Sequence, residues 1–360
     1  MENRSAGNRK LLLLQTLRGT AALFVVLYHA GGMSLFKLGN PFLNGVFGFG
    51  SAGVDFFFVL SGFIIFYIHS KDLGHKGRLK SFITKRLQRI YPIYWLATLP
   101  LIPFYFLFPA FGEGYEKNLD VIASSLLLIP QSHPPVLSVG WSLSHEMLFY
   151  LCFSLAILLP PRLSLALAWV WGTATLAFSL TLASGFPSPS YLADFFFNAR
   201  NLEFLAGCLC AYALRRWTLP ARDLIAFFGV ALFAIAALPG YREMAPLGYV
   251  IAYGVPSALI LLGCASRDMH APLKVPAFLD YLGNASYSIY LVHFPLLQVT
   301  IKAFGSLGRG SVVGEHVVIF ASVGIGILGG CLFHSFVEKP LLQIFKQWSE
   351  NRQKLEKQFS

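Results

Sequence analysis

Arg18 and His29 stand in one apolar run, Leu11 to Ala30, with ten residues between them. Eleven steps at about 100° make roughly three turns, so on a helix both side chains share a face, about 16 Å apart along the axis. Charged or titratable groups in an apolar span are costly, and as a rule they have a task. A guanidinium binds phosphates or polarises a carbonyl, and an imidazole moves protons. On one stripe they suit a ligand pathway or a reaction centre. The structural alternative is a snorkelling arginine with a hydrogen-bonded packing histidine.

Further segments repeat this pattern. In Gly50-Ser51-Ala52-Gly53-Val54-Asp55-Phe56-Phe57-Phe58 an aspartate sits in a phenylalanine-rich span and needs a partner or a proton. Arg18 or His29 on the neighbouring span is the expected partner; a structural ion pair is the alternative. Arg86 and Arg89, three apart in Lys85-Arg86-Leu87-Gln88-Arg89, share a helix face and fit a polyanion, because each fork holds a phosphate bidentately. Lipid head groups would fit them as well. Glu146 and Tyr150, four apart and preceded by Trp141, suit a sugar, with the carboxylate on hydroxyls and an aromatic face on the ring; an interfacial aromatic anchor is the alternative. His293, close to Tyr290 and Pro295, is a second histidine in a span, which Pro295 is expected to kink. Glu203 and the Val337-Glu338-Lys339-Pro340 exit read as structural.

The elements that must position these groups are membrane helices. Of 360 residues 56% are hydrophobic and 12% charged, with mean hydropathy +0.61, whereas soluble domains carry about 25% charge. The apolar segments are continuous rather than alternating, which favours an all-α polytopic protein over a barrel. Ten spans are expected, at about 11–33, 46–68, 87–109, 141–159, 164–184, 196–214, 224–239, 246–264, 284–304 and 315–336. The run Val121–Pro130 is too short to cross and reads as re-entrant or interfacial. Met1–Lys10 is basic, but the run after it is long, broken by Arg18 and without a clear cleavage site, so a retained first span is expected.

The net charge of +11 follows topology. With the N-terminus inside, 21 of the 28 Lys and Arg residues fall in cytoplasmic segments. Six, Lys37, Lys117, Arg200, Arg242, Lys302 and Arg309, fall outside, and Arg18 is the remaining one. This satisfies the positive-inside rule for an even span count with both termini cytoplasmic, and it removes the need for a nucleic-acid partner. The five cysteines have no metal-ligand spacing and lie in or beside apolar spans, so they read as packing residues and no metal is expected.

In this order, the Arg-x10-His span, the Val-Asp-Phe-Phe-Phe segment, the Arg-x-x-Arg pair and the Glu-Lys-Pro exit resemble the membrane-bound acyltransferase-3 family, from Leu11 to about Pro340. The Gly140-Trp141-Ser142-Leu143 run with Glu146-Met147 and Phe149-Tyr150 is similar to its exopolysaccharide-modifying branch. The resemblance implies a transmembrane acyltransferase domain over 1–340 and a basic cytoplasmic tail over 341–360, in a bacterial inner membrane. It implies transfer of an acetyl or other short acyl group from cytoplasmic acyl-CoA, a donor substrate rather than a resident cofactor, to a hydroxyl of a carbohydrate or lipid-linked saccharide. Arg18 and His29 are then the essential pair, with Asp55, Arg86 and Arg89 in support. Combined with the residue chemistry, Arg86, Arg89 and Arg18 bind the donor, and His29 is the base, oriented by Asp55 or itself carrying the acyl group. Glu146, Trp141, Tyr150 and His293 line the acceptor side. Membrane lipids are the remaining expected partner. A transporter or flippase of glycan or lipid-linked intermediates is the rival reading, which predicts no acetyl-CoA dependence.

Overall fold

A computed structural model describes residues 11–238, 244–308 and 311–358, and helices are the only regular elements among them. Arg4, Arg9, Lys10, Arg242 and Arg309, used above to orient the chain, lie outside the described residues.

Helix α1 runs over Leu12–Leu38 without an internal proline and ends at Gly39, whose φ of 85° is the left-handed conformation that closes a helix; its N–H bonds to the Leu35 carbonyl. Its start is held from elsewhere. The Leu13 and Leu14 N–H groups, which lack intrahelical acceptors, donate to Asp268 Oδ2 at 2.9 and 3.2 Å. Helix α2, Ala52–His69, follows a short 3-10 stretch and is buried along much of its length. Helix α3, Leu79–Thr98, carries the basic segment at its start and Pro92 within it. Short helices α4 (Leu101–Leu107) and α5 (Leu119–Leu127) follow. The expected Val121–Pro130 segment is therefore a nine-residue helix that stops at Leu128. Its terminal carbonyls are satisfied by α3, since Tyr94 Oη, Trp95 Nε1 and Tyr91 Oη donate to Ser125, Leu126 and Leu127 at 2.8–2.9 Å.

Next come α6 (Trp141–Leu158), α7 (Pro161–Ala183), α8 (Tyr191–Phe196), α9 (Asn201–Arg216), α10 (Arg222–Ala237) and the single turn α11 (Pro246–Tyr249). A π-helical turn joins α11 to α12 (Val255–His270). The last elements are α13 (Ala277–Gly308, with Pro295 inside), α14 (Val312–Phe333), a second π-helical turn over His334–Glu338, and α15 (Lys339–Gln358).

Seven helical stretches among the described residues are long and apolar enough to cross a membrane. The expected span 196–214 is shortened to the 16-residue α9, and 224–239 is the equally long α10 shifted by two residues; each is about 24 Å long against a hydrocarbon core of about 30 Å. The expected span 284–304 lies within the 32-residue α13. Leu165, Trp169, Val170 and Leu180 on α7, with Leu224, Phe227 and Phe228 on α10, are exposed, as suits helices facing lipid rather than water. The chain is an all-α, multi-pass membrane protein.

Two close crossings set the interior. Helices α1 and α13 meet at Gly19 and Gly283, where a methyl group on Gly283 would run into the Gln15 backbone. Helices α2 and α9 meet at Gly62 and Gly207, each against the other helix's backbone. Small residues let the helices approach where apolar burial supplies no drive between them. Beside the second crossing an aromatic core forms from Phe58, Phe149 and Phe204, with ring centroids 4.7 Å apart in each of two pairs. All five cysteines are free.

Candidate active site

The cluster of α1, α2, α3, α6 and α13 encloses a cavity of about 110 Å³, lined by Arg18, Ser61, Arg86, Arg89, Glu146, Tyr150, Ser286, Tyr287 and Tyr290 among others. Arg89 is exposed and Arg86 only half-buried, which marks the mouth. Arg18 comes from α1 and donates through Nη1 to Gln15 Oε1 at 2.8 Å, and Gln15 Nε2 in turn reaches Asn284 Oδ1 at 3.4 Å. Because Gln15 lies at the α1–α13 crossing, the packing of two helices fixes where the guanidinium points. Glu146 Oε1 accepts from Ser61 Oγ at 3.1 Å and from the Tyr150 hydroxyl. Arg18 lies within electrostatic reach of Arg89, Glu338 and Glu146. Glu338, on the second π-helical turn, accepts from Ser288 Oγ at 2.6 Å and pairs with His334 Nδ1 at 2.7 Å.

Arg18, Arg86, Arg89, Glu146 and Tyr150 are thus brought together, although the sequence placed Glu146 and Tyr150 with the acceptor and the arginines with the donor. The lining, three guanidiniums and one carboxylate, is net positive by two formal charges, and by one with Glu338 counted beside Arg18. It therefore favours an anionic group, and one able to accept several N–H bonds above all.

His29 and His293 form a separate centre. His293 Nε2 lies 3.0 Å from His29 Nδ1, and each Nδ1 lies 3.0 Å from the backbone carbonyl four residues back, Val25 for His29 and Ile289 for His293. Phe294 meets His29 edge-on at 5.1 Å. Tyr290 separates this pair from the arginines. It lines the cavity, and its ring lies 6.0 Å from His293. Its hydroxyl is held by Ser142 Oγ at 2.7 Å and the Val139 carbonyl at 3.1 Å.

Three expectations change. Asp55, fully buried, pairs with neither Arg18 nor His29 but with Arg200, whose Nε lies 3.2 Å from Oδ1. Arg200, expected as an outer-segment charge, is the residue just before α9 and is largely buried there. Its guanidinium stacks over Trp141 at 5.5 Å and Tyr249 at 4.7 Å, so Trp141 lies beneath Arg200 and does not line the cavity. Glu203, one turn on, lies against Asp55 and completes the cluster. The sequence carried no sign that Arg200 would fold inward. Gln15 was visible only as a polar residue three positions before Arg18, one turn away on the same face. Tyr290 and Ser142 stood in the motifs of His293 and Trp141, but being neutral they pointed to no role of their own.

A comparison with protein families matches residues 13–335 to an acyltransferase domain, that of the acyltransferase-3 family. The chain belongs to this family. Among curated proteins it is 32% identical to the exopolysaccharide production protein ExoZ of Rhizobium meliloti, over 82% of this chain and 91% of that one. It is 28% identical to the acyltransferase MdmB of Streptomyces mycarofaciens, over 93% and 92% of the two chains. It is 26% identical to the putative peptidoglycan O-acetyltransferase YrhL of Bacillus subtilis, over 97% of this chain and 58% of that one. No solved structure matches. This acyltransferase-3 protein is a membrane enzyme that transfers acyl groups other than amino-acyl groups.

Proposed function

We propose that this acyltransferase moves an acetyl or other short acyl group from cytoplasmic acyl-CoA to a hydroxyl of a cell-surface or exopolysaccharide sugar, in a bacterial inner membrane. The observation that carries the reading is the convergence of Arg18, Arg86 and Arg89 on one cavity with an exposed mouth. Arg86 and Arg89 hold the phosphates of the donor at that mouth, and Arg18 holds the arm deeper in. The relatives named for exopolysaccharide production and peptidoglycan O-acetylation support a carbohydrate acceptor. Ten crossings, made by the seven long stretches with α13 and the shorter α9 and α10, where the bilayer thins to meet them, keep both termini and the arginine mouth on the cytoplasmic side.

His29 is the base. Its Nε2 takes the proton of the acceptor hydroxyl as the oxygen attacks the thioester carbonyl carbon. The C–S bond then breaks, and the proton returns from His29 to the departing sulfur, leaving an ester and a free thiol. The arm reaches His29 by rotation of Tyr290 out of its bonds to Ser142 and Val139. Glu146 and Tyr150 sit at the donor cavity and act there.

Purified protein, labelled acetyl-CoA and acceptor suffice for the test. His29→Ala is expected to abolish transfer with normal insertion, and wild-type transfer by that variant sinks the base role. Labelling of an engineered cysteine beside Arg78 from the periplasm overturns the orientation.

A further inference from the structure

His293 is fully buried and touches His29 without lining the arginine cavity. The hydrogens of the pair follow from its acceptors. The Ile289 carbonyl 3.0 Å from His293 Nδ1 can only accept, so Nδ1 carries the hydrogen. A neutral imidazole has one N–H, so His293 Nε2 offers a lone pair, and it points at His29 Nδ1 at 3.0 Å. That nitrogen also faces a carbonyl, Val25, at 3.0 Å. It therefore carries a hydrogen shared between two acceptors, and the lone pair of His29 sits on Nε2. Hydrogens on both Nε2 atoms instead would press a bare nitrogen against a carbonyl oxygen in each ring. A doubly protonated His293 would force His29 Nδ1 to accept, again facing Val25 with a lone pair.

We infer that His293 is a positioning residue that holds His29 in the Nδ1–H tautomer with Nε2 free. The inference rests on the proposed role of His29 as base. It gives His293 the orienting part that the sequence offered to Asp55, and removes it from the acceptor-binding set. A ring flip of His29 would lose two acceptors rather than one, so the second histidine fixes orientation as well as tautomer. Being uncharged, His293 offers the imidazolium no counter-ion, so the proton must pass on to the leaving sulfur within the same turnover.

The test pairs ¹⁵N-histidine NMR of the intact protein with two variants, the His29 signals being assigned by their loss in His29→Ala. Wild type is expected to show protonated Nδ1 and bare Nε2. His293→Leu, which keeps bulk without an acceptor, is expected to lower kcat about 10-fold, short of the roughly 10²–10⁴-fold that a positioned base supplies, with the donor KM unchanged and a smaller share of His29 in the Nδ1–H form, the Val25 carbonyl being the acceptor that remains. His293→Gln, whose amide oxygen can accept from Nδ1–H, is expected to recover most of the rate. A bare Nδ1 in wild-type protein, or His293→Gln as impaired as His293→Leu, overturns the inference. If His29→Ala keeps full activity, the base reading falls instead, and the wild-type tautomer still decides this one.

Discussion

Replacing Arg200 by methionine separates a structural from a catalytic role for Asp55. The pair is buried, with Asp55 at 0% exposure and the Arg200 side chain at 20%. At an effective dielectric of about 20, unit charges 3.2 Å apart attract by about 5 kcal/mol. Removing one partner from such a pair costs about 3–5 kcal/mol, because the other charge stays behind in an apolar interior. Arg200→Met strands Asp55 with Glu203 beside it and no cation. At about 2 °C per kcal/mol for a large chain, the apparent Tm in detergent should fall by roughly 6–10 °C. Asp55→Asn keeps an oxygen for Arg200 Nε and leaves Glu203 facing the guanidinium, so its cost should be about 1–2 kcal/mol. Adding Asp55→Asn to Arg200→Met should recover part of the loss. Thermal melts with transfer activity per folded molecule read all three variants. Equal destabilisation by the two single changes, or no recovery in the double variant, refutes the ion-pair account. Asp55→Asn that melts like wild type but transfers nothing restores Asp55 to the chemistry.

The arginine cavity makes further predictions. Arg89→Ala should raise the donor KM about 10-fold or more, from loss of charged hydrogen bonds worth about 1.5–3 kcal/mol; an unchanged donor dependence removes the phosphate role. Glu146→Gln should keep the Ser61 and Tyr150 bonds and tighten donor binding by removing a carboxylate near Arg18, while Glu146→Leu should lose about 1–3 kcal/mol of stability by stranding the buried Tyr150 hydroxyl. Binding titrations and melts of the two variants check the contrast. Gly283→Ala should cost about 1–3 kcal/mol and weaken donor binding, since its methyl group displaces the Gln15 backbone and with it Arg18. Gly31→Ala, with open space at its Cβ, is the neutral control.

Charge at helical spacing made part of this site legible in the sequence. Arg18, Arg86 and Arg89 declared themselves because a guanidinium in or at an apolar span needs a reason, and the structure gathers all three. What stayed hidden depends on long-range pairing. Asp55 and Arg200 are 145 positions apart, and Arg200 sits where chain order suggested a loop at the membrane surface. His29 and His293 are 264 apart, so their contact follows from the α1–α13 crossing and not from either motif. Tyr290 has no charge to betray it, yet it divides the two centres. Helix class and most element positions followed from apolar run length. Helix α9 came out shorter than its expected span because it begins only after Arg200 has turned inward, whereas α10 has the expected length and starts two residues earlier.

The hydroxyl knot of Ser142, Tyr290 and Val139 has an electrical consequence. An enzyme that meets one substrate from each side of a membrane needs a passage, and a continuous file of water through that passage would short-circuit the cell. Each proton leaking down a 100 mV potential dissipates about 2.3 kcal/mol. Tyr290, held by Ser142 and Val139, stands between the arginine cavity and the histidines, and on the two-sided mechanism proposed above it insulates the resting protein. On that mechanism insulation is interrupted only while an acyl-bearing arm occupies the gap, and the arm itself then fills the channel it opens.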